Sequence, residues 1–152
     1  MTLSQLNSLS RDEFVRVVGP VFERSPWIAE AGWAERPFEN LDELHAVLCA
    51  IVRQADGTQQ VQLIQAHPDL VGRAALAGTL TTESTREQAS AGLDRLTAEE
   101  VAAFQRFNDQ YRNKFGFPFV ICARLNKKDA ILTGFRSRLN NSREQEIGTA
   151  LL

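Results

Sequence analysis

The histidine at position 67 is the side chain in this sequence best suited to transfer a proton. A proline follows it at position 68, and the residue before a proline is disfavoured in the helical region of backbone space. His67 is therefore predicted to end the helix that leads up to it and to point away from the helix axis. The end of a helix carries partial negative charge, which favours the imidazolium form and hence a proton donor. The alternative is a histidine that only caps the helix end.

A serine and a glutamate three residues apart, Ser84 and Glu87, form the second candidate feature. Their spacing is that of a capping box, in which both side chains only satisfy backbone groups at the start of a helix. In the alternative interpretation Ser84, Glu87 and Gln88 turn toward a ligand at that helix N-terminus, where free N–H groups attract anions. Spacing alone favours the cap. A carboxylate close to His67 would nevertheless suit acid–base chemistry.

The third candidate feature is a continuous apolar run, residues 117–123, which breaks the helical rhythm of the chain. The run is too short for a helix of its own, and Pro118 interrupts it. Because the sequence offers no second strand-like run to pair with it, we predict extended backbone packed among helices. Its N–H and C=O groups then need partners other than a sheet, and a ligand could supply them.

Helical periodicity runs through nearly the whole sequence and predicts the elements that must position these features. The predicted fold class is all-α: a single domain, residues 1–152, built as a bundle of roughly eight helices. Helix starts are predicted at Ser10, Ser25, Asn40, Thr58, Thr97 and Ser142, in addition to Ser84.

The composition excludes several classes of protein. A net charge of −2 with both signs interspersed gives no electrostatic footprint for nucleic acid. Cys49 and Cys122 are isolated in apolar runs and are predicted to be buried thiols, not a disulfide or a zinc site. We find no apolar run long enough to span a membrane and no secretory signal, so the predicted location is cytoplasmic.

Taken in order, four motifs of this sequence resemble those of the family of 2-oxo-4-hydroxy-4-carboxy-5-ureidoimidazoline (OHCU) decarboxylases. Each motif alone is weak, but their order and spacing together are specific, and the similarity covers most of the chain. The motifs are His67-Pro68-Asp69-Leu70, Gly72-Arg73-Ala74-Ala75, Ser84-x-x-Glu87-Gln88 and the segment 115–122.

The resemblance implies a helical homodimer that works without a cofactor or a metal. Its substrate, the hydrolysis product of 5-hydroxyisourate, would lose CO2 to give (S)-allantoin. The resemblance implies that His67 is the proton donor, and we assign Glu87 to orienting or recharging it. The implied substrate contacts are Pro68, Ser84, Thr85, Arg86, Glu87, Gln88, Phe119, Val120, Ile121, Cys122 and Ala123.

One departure from the family pattern concerns the binding of the substrate carboxylate. Family members usually carry an arginine near the far end of the last helix, and this sequence reaches Leu152 without one. Arg136, Arg138 and Arg143 are candidates to replace it. The competing hypothesis is a non-catalytic helical interaction module, which predicts a large exposed apolar patch and no pocket at His67.

Overall fold

The predicted all-α fold class is confirmed in a computed structural model that describes residues 1–72, 78 and 80–152. The described residues form nine α-helices, two short 3₁₀ helices and no β-strand. Of the predicted motifs, Arg73, Ala74 and Ala75 lie outside the described residues. None of the described helices is long and apolar enough to cross a membrane. The helices are α1 (Leu3–Asn7), α2 (Arg11–Val18), α3 (Pro26–Ala34), α4 (Leu41–Gln54), α5 (Gly57–Ala66), α6 (Thr82–Ser90), α7 (Ala98–Phe115), α8 (Lys128–Arg138) and α9 (Arg143–Ala150).

The chain divides into two compact units, residues 1–66 with 151 and residues 67–150 with 152. In the first unit, the apolar faces of α1 to α5 enclose a core that includes the fully buried side chains of Phe14 and Ile28. Arg36 links the segment after α3 to the end of α1 and the residues after it, because its Nη1 donates to the carbonyls of Asn7 and Leu9, each at 2.7 Å. The single-domain organisation stays a prediction.

Most of the predicted helix starts agree with the structure, because capping is decided by neighbouring residues. The side chains of Ser10, Asn40, Thr97 and Ser142 each accept a hydrogen bond from the backbone N–H three residues on. The caps predicted at Thr58 and Ser84 are wrong. Helix α5 begins at Gly57, since Asp56 accepts from the N–H of Gln59 at 2.9 Å. Ser25 is the N-cap residue of α3, as predicted, but its hydroxyl donates to the carbonyl of Glu23 at 3.1 Å and makes no capping hydrogen bond.

The second unit is built around a cluster of buried aromatic rings. Tyr111 on α7 and Phe135 on α8 pack at 84° to each other with ring centroids 6.1 Å apart. Phe119 stacks on Phe135 at 4.0 Å and meets Tyr111 edge-on at 5.2 Å. These contacts anchor the apolar run that follows α7, because Phe119 and Phe117 are both buried in the cluster.

The segment 117–122 is neither helical nor part of a strand, as predicted. Its backbone is less dependent on a ligand than the sequence suggested. The carbonyl of Val120 accepts from Nη1 of Arg138 at 2.7 Å, and that of Cys122 accepts from the N–H of Leu125 at 3.1 Å. Leu125 is the last residue of the 3₁₀ helix Ala123–Leu125, which directly follows the segment.

The prediction that both cysteines are buried is wrong. Cys122 is exposed and Cys49 is half-buried. Cys122 is the last residue of the non-helical segment and directly precedes the 3₁₀ helix Ala123–Leu125. Ala123 is buried where Cys122 faces solvent.

Candidate active site

His67 lies directly beyond a helix, as its position before a proline predicts. Helix α5 ends at Ala66, and His67 is half-buried in a turn that begins the second unit. The restriction that Pro68 places on the preceding residue removes His67 from the regular helical backbone.

The helix that carries Ser84 begins earlier than predicted. Its N-cap is Thr81, which has an extended backbone and whose Oγ1 accepts a hydrogen bond from the N–H of Ser84 at 3.3 Å. Ser84 and Glu87 have the spacing of a capping box, but the residue that caps the helix is Thr81. Thr81 is followed three residues later by Ser84, so no capping-box spacing indicates it in the sequence. Ser84 therefore lies within the first turn of α6. Ser84, Glu87 and Gln88 stand at i, i+3 and i+4, which places them on one face of that helix.

All three candidate features meet at one cavity. Two side chains of the turn after α5, three from one face of α6 and four from the apolar segment surround it, together with Leu70. The lining residues are His67, Pro68, Leu70, Ser84, Glu87, Gln88, Phe119, Val120, Ile121 and Ala123. The cavity has a volume of about 50 Å³, below the roughly 300 Å³ of sites that enclose drug-sized ligands. A ring-sized ligand would therefore extend out of it.

Three residues that sequence reasoning included in the site do not line this cavity. Thr85 and Arg86 are exposed on α6, and Thr85 donates its hydroxyl to the carbonyl of Thr81 at 2.9 Å. Cys122 is exposed as well. Leu70 lines the cavity and was missed as a site residue, although it belongs to the His-Pro-Asp-Leu motif and its apolar type was the available signal.

The electrostatics of the cavity centre on Glu87. Its side chain is 48% exposed and Oε1 lies 3.8 Å from Nη2 of Arg124, which follows the lining residue Ala123. A pair this long and this exposed contributes little to stability. The pair does place the guanidinium of Arg124 next to the cavity, beside the carboxylate of the lining residue Glu87.

The three arginines considered as carboxylate ligands are used elsewhere. Arg138 donates to Val120 and Glu146, and Arg143 donates from Nε to the carbonyl of Phe115 at 3.0 Å. The guanidinium of Arg136 lies over the ring of Phe107 at 5.7 Å. None of the three belongs to the described lining of the cavity.

Gln88 is the buried member of the lining face of α6, and its amide contacts the turn after His67. Its Oε1 accepts from the N–H of Val71 at 3.0 Å, and its Nε2 donates to the carbonyl of Asp69 at 3.4 Å. One N–H and one lone pair of the amide remain beyond these two contacts.

Within residues 1–72, 78 and 80–152, no three His, Cys, Asp or Glu side chains cluster as a metal site.

Comparison with protein families identifies one that matches nearly the whole chain. The family model described as OHCU decarboxylase matches residues 7–152. The sequence is 45% identical over 146 residues to the 2-oxo-4-hydroxy-4-carboxy-5-ureidoimidazoline decarboxylase of Amia calva, covering 96% of this chain and 83% of the relative. It is 41% identical over 151 residues to the enzyme of the same name from Halalkalicoccus jeotgali, covering 99% of this chain and 84% of the relative.

The fold has a counterpart among solved structures. The crystal structure of an (S)-allantoin synthase matches with a TM-score of 0.77 and 28% sequence identity. The match covers 99% of this chain and 49% of that chain, so this protein spans about half of the solved structure's length.

Proposed function

The chain belongs to the OHCU decarboxylase family, and from this premise we propose that it decarboxylates OHCU to (S)-allantoin in urate breakdown. The observation that carries the proposal is the shared cavity of His67, Glu87 and the apolar segment 119–123. A helical interaction module would have no need to gather a half-buried histidine, a carboxylate and an extended segment around one cavity.

The proposed chemistry asks little of the protein, because the substrate brings its own electron sink. When the bond to the carboxylate breaks, CO2 leaves and the electron pair delocalises into the adjacent ring C=N bond. The protein must hold the carboxylate in a poor solvent, orient the ring and deliver a proton to one face. No cofactor is required for these steps. Protonation of one face alone fixes the stereochemistry of the product.

We assign the proton to His67, which stands beyond the helix end at the cavity. Glu87 on α6, which lines the same cavity, would orient the imidazole or return its proton. Arg124, beside Glu87, would offset part of the electrostatic repulsion between the Glu87 carboxylate and the substrate carboxylate.

The remaining lining groups are assigned to recognition. Ser84 and the side-chain amide of Gln88 would bind the ureido and ring amide groups. The backbone of 119–123 and the ring of Pro68 would hold the two sides of the imidazoline. A homodimer, which the family resemblance implies, and a cytoplasmic location, which the sequence predicts, complete the proposal; sedimentation equilibrium tests the first.

The direct test generates OHCU in situ by oxidising urate and hydrolysing the product, and then follows optical activity. The protein is expected to accelerate decay of OHCU and to give one enantiomer of allantoin instead of a racemate. An unchanged decay rate together with a racemic product would overturn the assignment.

A pair of histidine variants then tests the proton donor. His67→Asn should abolish both the acceleration and the stereochemical bias. His45→Asn is the matched control, because it removes the other histidine of the chain, which lies on α4 outside the cavity. Full activity in His67→Asn would remove His67 from the mechanism while leaving the family intact.

A further inference from the structure

The turn that follows His67 is strained. Val71 has a φ of +54°, a left-handed conformation that a β-branched residue rarely adopts. The turn is also tight, because a Cβ on Gly72 would lie 2.6 Å from Cβ of Asp69. A backbone of this kind persists only where surrounding groups hold it, and such strain concentrates at functional sites.

Side chains from two helices hold the backbone of this turn. Gln88 of α6 accepts from the N–H of Val71 and donates to the carbonyl of Asp69. Asn108 of α7 donates from Nδ2 to the carbonyl of Leu70 at 2.8 Å. These side chains satisfy backbone groups of the turn that regular secondary structure would pair with other backbone groups.

The turn is also held by an ion pair between Asp69 and Arg112. Nε of Arg112, in the last turn of α7, lies 2.8 Å from Oδ1 and 3.0 Å from Oδ2 of Asp69. Charge-assisted hydrogen bonds of this length are among the stronger polar contacts in proteins. Neither side chain is among the described residues that line the cavity of His67.

We propose that the Asp69–Arg112 ion pair is a positioning device for His67, an inference that rests on the proposed function of His67. Only Pro68 separates Asp69 from His67, and its ring fixes one of the few backbone torsions between them. Holding the Asp69 carboxylate therefore fixes the direction in which the His67 side chain leaves the backbone. Without the pair, the strained turn relaxes and the imidazole moves relative to Glu87 and the substrate.

The kinetic test compares Arg112→Gln, Arg112→Lys and Asp69→Asn with the wild-type chain. Because misplacement of a reacting group by about 1 Å can cost about 100-fold in rate, kcat in Arg112→Gln should fall about 10- to 100-fold with KM nearly unchanged. Arg112→Lys, which keeps the charge, should recover part of the loss. The double variant Asp69→Asn/Arg112→Gln should be no slower than either single variant, because all three lose the same contact.

Arg11→Gln is the matched control for these variants. It removes an ion pair of similar length, in which Nη2 of Arg11 lies 2.9 Å from Oε2 of Glu30, far along the chain from the cavity residues. Its kcat and KM should equal those of the wild type. Unchanged kcat in Arg112→Gln, or a loss explained entirely by the fraction of unfolded protein in thermal melts, would overturn the proposal.

A second readout does not depend on turnover. The chain has two histidines, so a His45→Gln background leaves His67 as the only source of imidazole NMR signals. Those signals should shift in Arg112→Gln and stay in place in Arg11→Gln. If the protein lacked decarboxylase activity but the signals shifted, the proposed function would fail and the positioning role would stand. If the protein were active and neither kcat nor the signals responded, the positioning role alone would fail.

Discussion

Nε of Arg138 lies 2.8 Å from Oε2 of Glu146, a carboxylate with no exposed surface. Tyr111 donates its hydroxyl to the same oxygen, and Asn141 donates to Oε1 at 2.6 Å. Nη1 of Arg138 reaches on to the carbonyl of Val120 in the cavity wall. The arginine that sequence reasoning offered as a substrate ligand thus joins a buried polar network to the backbone of the site.

Breaking this network from one side should be costly, because it leaves an uncompensated buried charge. We expect Glu146→Ala or Arg138→Ala to lower the free energy of unfolding by about 3–5 kcal/mol. The double replacement Arg138→Met/Glu146→Leu should cost less than either single change, since no charge is stranded. Urea denaturation provides the measurement. Arg11→Ala, which breaks an exposed pair, should cost at most about 1 kcal/mol.

The phenol of Tyr111 gives the network a signature at alkaline pH. Burial, followed by the hydrogen bond to Glu146, raises the pKa of Tyr111 well above its usual range. The folded state therefore favours the protonated phenol. Its contribution to stability is complete below the unfolded pKa of about 10 and is lost as the pH rises above that value.

This shift can be observed directly, because Tyr111 is the one tyrosine of the chain. The folded protein should resist tyrosinate formation at a pH where the urea-unfolded chain is already ionised, as followed by ultraviolet absorbance. Tyr111→Phe should give no tyrosinate signal in either state. Ionisation of folded Tyr111 at the pH of free tyrosine would contradict the predicted environment.

The features that local rules govern were predictable from the sequence. A proline after His67 predicted the helix end there, and the caps at Ser10 and Thr97 followed from short spacings. The failure at Ser84 has the same origin, since a capping-box spacing was present but Thr81 supplies the cap. Local rules offer several valid starts for one helix, and packing selects among them.

The contacts that orient the site were not predictable, because they join residues far apart in the chain. Asp69 and Arg112 are 43 residues apart, and no local sequence pattern around either residue predicts its partner. The same holds for Arg138 and Val120, 18 residues apart. The family resemblance assigned roles mostly to residues that line the cavity, whereas the residues that hold those side chains in place are apparent only from the fold.

Gly116, at the end of α7, should resist replacement for a backbone reason. It has a φ of +82°, and a Cβ added there would meet no atom within 4 Å. Gly116→Ala should therefore cost about 1–2 kcal/mol, the penalty of left-handed backbone for an L-residue. Gly148→Ala in α9 also meets open space and should stabilise the protein by up to about 1 kcal/mol through helix propensity. Urea denaturation giving the same sign for both variants would contradict this explanation.

The separate roles of Thr81 and Ser84 can be resolved by comparing stability with substrate affinity. Thr81 caps α6, and Ser84 lines the cavity one turn later. Thr81→Ala should lower the free energy of unfolding by about 1 kcal/mol and leave KM unchanged. Thr81→Ser, which retains the accepting oxygen, should preserve stability.

Ser84→Ala should show the opposite pattern. A hydrogen bond to the substrate is worth about 0.5–1.5 kcal/mol, so KM should rise about 2- to 10-fold while the free energy of unfolding changes by less than about 0.5 kcal/mol. Steady-state kinetics on OHCU generated in situ, together with urea denaturation, provides both values for each variant. If Ser84→Ala lost stability and kept its KM, the role of Ser84 would be only to stabilise α6. The ureido group would then be bound by Gln88 and the backbone of 119–123.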